Sequence, residues 1–193
     1  MARPSPTSAA RAASLALPIL LLAALLAAAG CSGKRGADCP ERDLVRQGDV
    51  VTDMTVFALD GKATAMKSLI GGKVALIDVW ATWCQPCKLA MPHLQALHNQ
   101  FKDQGFTVVG VMTDANATRI GSNYMKANPV SYPVVLDDDG SGFDCAWGTV
   151  TGIPLMVLVD RDGKVLEVFQ GTGDIGTLQR RVAELFSAAA PKA

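Results

Sequence analysis

Apolar residues in this chain fall into short blocks, some continuous and some at helical spacing, so strands and helices alternate along it. Val74-Ala75-Leu76-Ile77-Asp78-Val79 is nearly continuous and reads as a buried strand over 73–80. Pro86 to about Lys102 reads as a helix, with Pro92 in its interior, which must kink it. Phe106 to Met112 is the next buried strand, and Asn116 to Ala127 a helix closed by Asn128-Pro129. A short strand over Tyr132 to Leu136 and a short helix around Phe143 to Trp147 follow. Leu155 to Asp160 and Val165 to Gln170 form a hairpin around Arg161-Asp162-Gly163-Lys164. Leu178, Val182 and Leu185 mark a last helix, capped by Asp174 and running to about Ser187. Upstream, Met54 to Leu59 is a strand ending in an Asp60-Gly61 turn, paired with a short strand over Ala63 to Ala65. Asp137-Asp138-Asp139-Gly140 lacks the alternate-residue spacing of a calcium loop and reads as a solvated turn. The pattern predicts an α/β domain: a mixed central sheet with helices on both faces and an N-terminal strand pair added to it.

The first thirty residues differ in character. Their only charges are Arg3 and Arg11, and Ala12 to Ala29 is an uncharged Ala/Leu-rich run containing Pro18. A basic start, an apolar stretch and a small-residue end describe an export signal. The run is also close to the roughly 18 residues that span a bilayer, so an uncleaved helical anchor is the competing reading. Ala28-Ala29-Gly30-Cys31 resembles the bacterial lipoprotein signal, which implies acylation of Cys31. Ala28 departs from it, since a larger aliphatic residue is usual there. The expected organisation is a signal peptide over 1–30, a polar tether over 31–48 and one domain over 49–190. Both readings place the protein outside the cytoplasm, anchored to a membrane, in the bacterial periplasm on the lipoprotein reading.

The 193 residues carry 18 basic and 18 acidic side chains, and removal of the leader deletes two Arg and no acid. That balance offers no surface for nucleic acid.

There are five cysteines: Cys31, Cys39, Cys84, Cys87 and Cys145. With Cys31 lipidated, four remain in a compartment where disulfides persist. Cys84 and Cys87 pair as a dithiol, leaving Cys39 and Cys145 as a candidate structural disulfide; the alternative is two unpaired thiols. A four-cysteine zinc site would need a second Cys-x-x-Cys, which the sequence lacks, so no metal is expected.

Cys84-Gln85-Pro86-Cys87 lies where a strand gives way to a helix. There the first sulfur meets unpaired backbone N–H groups and partial positive charge, which favour thiolate. Cys84 is therefore the expected exposed nucleophile and Cys87, one turn on, the resolving thiol. The redox group is this disulfide itself, with no other cofactor expected. Asp78, six residues before Cys84 on an apolar strand, is costly to bury as an anion and is expected to hold its proton. His93 and His98, on the helix beyond, read as structural or surface residues.

Trp80-Ala81-Thr82-Trp83-Cys84-Gln85-Pro86-Cys87-Lys88, Pro92, and Gly152-Ile153-Pro154 before a strand together resemble the thioredoxin superfamily. Asp60-Gly61-Lys62 and Asp160-Arg161-Asp162-Gly163-Lys164 resemble its extracytoplasmic TlpA-like branch, which includes cytochrome-c-maturation reductases. The resemblance covers about residues 48–187. It implies a thioredoxin-like fold and a cis bond before Pro154. Pro154 would face the disulfide, with the Ile153 backbone and Trp83 binding an extended substrate. It also implies that Asp78 relays a proton to Cys87. The chain departs from the pattern in three places. Thr107 to Met112 offers no Lys to pair with Asp78, Leu155-Met156 follows the proline, and Ala90 stands where several reductases of the branch carry Glu.

These features point to a membrane-tethered thiol–disulfide oxidoreductase that reduces disulfides in exported proteins. Its partners are those substrates and a membrane thiol electron donor, and the resemblance suggests cytochrome c maturation or copper-site assembly. A thiol peroxidase is the enzymatic alternative, but it needs Pro-x-x-x-Thr-x-x-Cys. Here Thr82 is two residues before Cys84, and no proline lies four before Thr82 or Cys84. A copper-binding assembly factor is the other, with Met91 and His93 the near candidates for a further ligand.

Overall fold

The central strand has no polar face because both of its faces are covered. Val74–Trp80 (β3) is buried at every position, which is why its sequence runs nearly continuous rather than alternating. In the computed structural model, which describes residues 42–171 and 175–187, β3 is flanked by a parallel neighbour, Phe106–Met112 (β4), and an antiparallel one, Leu155–Val159 (β6). Val134–Leu136 (β5) continues the sheet beside β4 in parallel, and Val165–Gln170 (β7) closes the other edge. Thr55–Ala58 (β1) and Ala63–Ala65 (β2) form the expected hairpin, which adds to the sheet antiparallel to β5. The strand order is β2-β1-β5-β4-β3-β6-β7. This is the expected mixed α/β sheet, with the N-terminal pair as its extension.

Alternation along β3 splits the core in two. Val74, Leu76 and Trp80 face helices Gln85–Phe101 (α2), Ala117–Ala127 (α3) and Ile175–Ser187 (α5). Ala75, Ile77 and Val79 face Met66–Ile70 (α1) and Ser141–Trp147 (α4). Among the described residues no helix is long and apolar enough to cross a membrane.

Several expectations are corrected. Met66–Ile70 was not foreseen as a helix; it is a single turn whose Met66 and Ile70 fill the second core, too short to show periodicity. Pro92 lies inside α2, which continues on both sides of it and loses one backbone donor there. The Asp137–Asp139 turn is not simply solvated. Asp137 is buried, and its carboxylate accepts from the N–H groups of Gly142 (3.1 Å) and Phe143 (2.8 Å) at the start of α4. Asp138 likewise accepts from the N–H and hydroxyl of Thr118 in the first turn of α3. Short polar side chains satisfying helix-start donors explain an acidic run that is otherwise costly to cluster.

The described end of the expected tether is not loose. Val45 N donates to Trp147 O (2.8 Å), Gly48 N to Val165 O (2.9 Å) and Val51 N to Gly163 O (2.9 Å), so 45–51 is laced along β7 and the end of α4. Gly148 allows the crossing: its φ is +98°, and a Cβ there would collide with the backbone of Asp43 and Leu44. The leader, Cys31, Cys39 and the Asp174 cap lie outside the described residues.

Candidate active site

Strand β3 ends where Trp80 O accepts from both the backbone N–H (2.9 Å) and the hydroxyl (3.2 Å) of Thr113, beyond the end of β4. The chain then turns through Ala81–Trp83 into α2. Asp114 fastens that turn: its carboxylate accepts from Thr82 N (2.9 Å) and Thr82 Oγ1 (2.6 Å). Cys84 N donates to Ala81 O (3.0 Å), closing the turn from inside.

Cys84 is the N-cap of α2, and its sulfur accepts from Cys87 N (3.2 Å). Pro86 sits in the first turn, where its missing N–H is no loss because no helical acceptor exists for it. The first turn carries no acidic side chain to oppose thiolate. Cys84 and Cys87 are joined in a disulfide, with Cα atoms 5.3 Å apart. In this oxidised state Cys84 is only 3% exposed and Cys87 fully buried. The expected exposure of Cys84 is thus absent while the ring is closed, because the bond draws its sulfur onto the first helical turn. Close to it in sequence, two large apolar side chains are open to solvent. Trp83 is 71% exposed and Leu89 64%, among the few large hydrophobic residues left to solvent.

The Ile153–Pro154 bond is cis. The register pairing Val79 with Leu155 sets Pro154 beside the end of β3, at the edge of the sheet from which Cys84 departs. Pro154 is buried and its carbonyl accepts from Gly171 N (2.9 Å), while Ile153 is half-buried and touches both core clusters.

Asp78 is buried to 1% exposure, on the β3 face that looks toward α2. Its cross-strand neighbours are Gly110 on β4 and Met156 on β6, so no cation stands beside it. Neither carboxylate oxygen has a hydrogen-bond partner, and burial pushes the carboxyl up to about 7. The expectation of an acid that resists ionisation agrees with this geometry. Trp80 is fully buried, its ring 5.7 Å from that of Tyr124.

His98 is nearly buried and its Nδ1 accepts from Val108 N (3.3 Å); burial and the nearby Lys102 and Lys73 depress its pKa. Met91 is buried while His93 is exposed, so the two candidate metal ligands of α2 do not converge. Cys145 is disulfide-bonded; its expected partner, Cys39, lies outside the described residues.

Asp114 and Gly110 are residues at the site that the sequence did not flag. Asp114 follows a strand by two residues like many loop acids, and only the fold brings it to Thr82, 32 positions away.

A sheet of this order, a helix opening on a Cys-x-x-Cys disulfide and a proline loop beside it define a thiol–disulfide oxidoreductase of thioredoxin-like fold. The redoxin family profile matches residues 46–184, and the chain belongs to that family, within the thioredoxin superfamily. It is 30% identical over 131 residues to the thiol-disulfide oxidoreductase ResA of Bacillus subtilis, covering 68% of this chain and 71% of that one. A crystal structure from Chlorobium tepidum, assigned as the thiol:disulfide interchange protein DsbE, superposes with a TM-score of 0.66 at 29% identity. That match covers 75% of this chain and 99% of the other. The solution structure of a thiol:disulfide interchange protein from a Bacteroides species gives 0.60 at 27% identity, covering 72% and 91%.

Proposed function

We propose that the protein reduces disulfides in exported proteins, held at the outer side of a membrane by lipid on Cys31 and recharged by a membrane thiol donor. Three segments follow from that reading: a signal over 1–30, a tether from 31 and a catalytic domain over 49–190. The observation that carries it is the placement of the Cys84–Cys87 disulfide on the first turn of α2, just past the end of the strand in which Asp78 is buried.

In the reduced protein the Cys84 thiolate, stabilised by the helix start, attacks a substrate disulfide. One substrate sulfur leaves as thiolate and the other forms a mixed disulfide with Cys84. Asp78 takes the proton of Cys87, and the Cys87 thiolate attacks Cys84 Sγ, releasing the second substrate thiol and closing the 84–87 disulfide. Two electrons pass to the substrate, which gains two protons, and the donor restores the dithiol. Trp83, Ile153 and Pro154 form the apolar rim on which an extended substrate segment lies. Gln85-Pro86 between the cysteines, with no His, supports a reducing couple. Resemblance to cytochrome-c-maturation reductases favours apocytochrome c or a copper-site protein as substrate.

The test is a Cys87→Ala variant expressed in the native host, with disulfide-linked adducts on Cys84 identified by mass spectrometry. Adducts on exported cysteine-pair proteins are expected. A dithiol potential near −120 mV, in the strong-oxidant range, would reverse the direction. Labelled fatty acid incorporated into the wild type and absent from Cys31→Ser checks the anchor.

A further inference from the structure

The buried, unpartnered side-chain polar atoms of the described residues belong to three residues only: both oxygens of Asp78, Trp80 Nε1 and the Tyr132 hydroxyl. They gather around Gly110. Asp78 is its register partner on β3. A Cβ built on Gly110 would meet Trp80 Nε1 at 3.1 Å and Tyr132 Cε2 at 3.5 Å. Tyr132 is pinned there from two sides. Gly110 N donates to Pro133 O (2.9 Å), and Ser131 N donates to Gln95 Oε1 on α2 (2.7 Å). Two donors, an indole N–H and a phenol O–H, therefore lie near a carboxylate with two unsatisfied acceptors, and even a methyl group at position 110 would press on the indole nitrogen.

We propose that Tyr132 is a positioning residue for the proton relay: as Asp78 ionises, the Tyr132 hydroxyl and Trp80 Nε1 turn their donors to the carboxylate and stabilise it. A neutral donor pair thus does the work that a cation would do. Burial first, then the charge of Asp78, raises the Tyr132 pKa far above neutrality, so it stays a donor while Asp78 titrates. Around Asp78, β4 and β6 contribute uncharged Gly110 and Met156. From α2 and its N-cap the titratable groups are Cys84, Cys87, half-buried Lys88, exposed His93 and His98, whose ring lies 6.1 Å from that of Tyr132. From α3 there is Tyr124, against Trp80. This inference rests on Asp78 being the relay.

The test follows the Asp78 carboxyl by carbon-13 NMR and the single-turnover reduction of a disulfide peptide across pH 5–9, in wild type, Tyr132→Phe, Gly110→Ala and Asp78→Asn. Tyr132→Phe keeps the ring and removes only the donor. It is expected to raise the Asp78 midpoint by about one pH unit, a tenfold change in ionisation, while the alkylation midpoint of Cys84 stays put. Gly110→Ala, whose Cβ would press on Trp80 Nε1 at 3.1 Å and push that donor aside, is expected to shift Asp78 in the same direction. If Asp78→Asn abolishes the inflection but Tyr132→Phe leaves or lowers it, the Tyr132 inference is wrong and the relay stands. A Cys84 midpoint that moves equally would mark a general distortion and also overturn it. If Asp78→Asn leaves the profile unchanged, the relay itself fails.

Discussion

The Asp114 carboxylate holds Thr82 twice, by its backbone N–H at 2.9 Å and its hydroxyl at 2.6 Å. Asp114 is 5% exposed and lies just beyond β4, so this clamp couples the edge of the sheet to the turn that aims Cys84. A shift of the turn would move the sulfur off the helix start that favours its thiolate.

Asp114→Ala is therefore expected to lower stability by about 1–3 kcal/mol, since two hydrogen bonds to a charged acceptor are lost. It should also slow alkylation of reduced Cys84 at neutral pH. Urea unfolding and iodoacetamide kinetics measure the two effects. Asp114→Asn, which retains one acceptor oxygen, should fall between.

Asp78 makes stability depend on pH in a defined direction. Its carboxyl ionises near 3.8 when the chain is unfolded and near 7 when folded. Between those values the unfolded chain has released a proton that the folded one keeps. Fewer protons bound in the unfolded state means that stability falls as pH rises, and the loss is complete above about 7. A shift of that size corresponds to at most about 4 kcal/mol. Burial also raises the pKa of Asp137 and Asp144, with the same sign. The difference between wild type and Asp78→Asn isolates the contribution. In denaturant unfolding of the oxidised proteins at pH 4.5 and 8, the variant should gain relative to wild type at the higher pH.

Trp83 is 71% exposed, so in the proposed mechanism it serves as contact surface for the substrate. Trp83→Ala should change the thermal midpoint little, within about 0.5 kcal/mol. It should raise KM for a peptide disulfide several-fold more than it lowers kcat. An equal loss of stability and rate would show that the indole packs as core.

Cys145, on α4, is disulfide-bonded, and its loss should cost about 2–4 kcal/mol. Cys145→Ser unfolded under non-reducing conditions measures this. Peptide mapping of the exported wild type is expected to recover the Cys145 peptide crosslinked to that of Cys39.

The strand, turn and helix that carry Cys84 and Cys87 could be read directly from the chain, because each is specified by contiguous residues. Continuous apolar character marks a strand buried on both faces, and a helix start needs only its cap and first turn. Asp78 could be suspected for the same reason, as one acid inside an apolar run. Other features had no local signal. The β1–β2 hairpin was visible, but nothing in its residues specifies docking on β5. The acids at 137 and 138 looked like solvent-facing turn residues until α3 and α4 supplied N–H groups for them. The grip of Asp114 on Thr82 joins residues 32 apart, and the gathering of Trp80 and Tyr132 over Gly110 joins a strand, its parallel neighbour and a loop. Local sequence determines dihedral preference and which side is apolar. Partners for buried polar groups are decided only when distant segments pack, since desolvation penalises such a group until the completed fold brings it a partner.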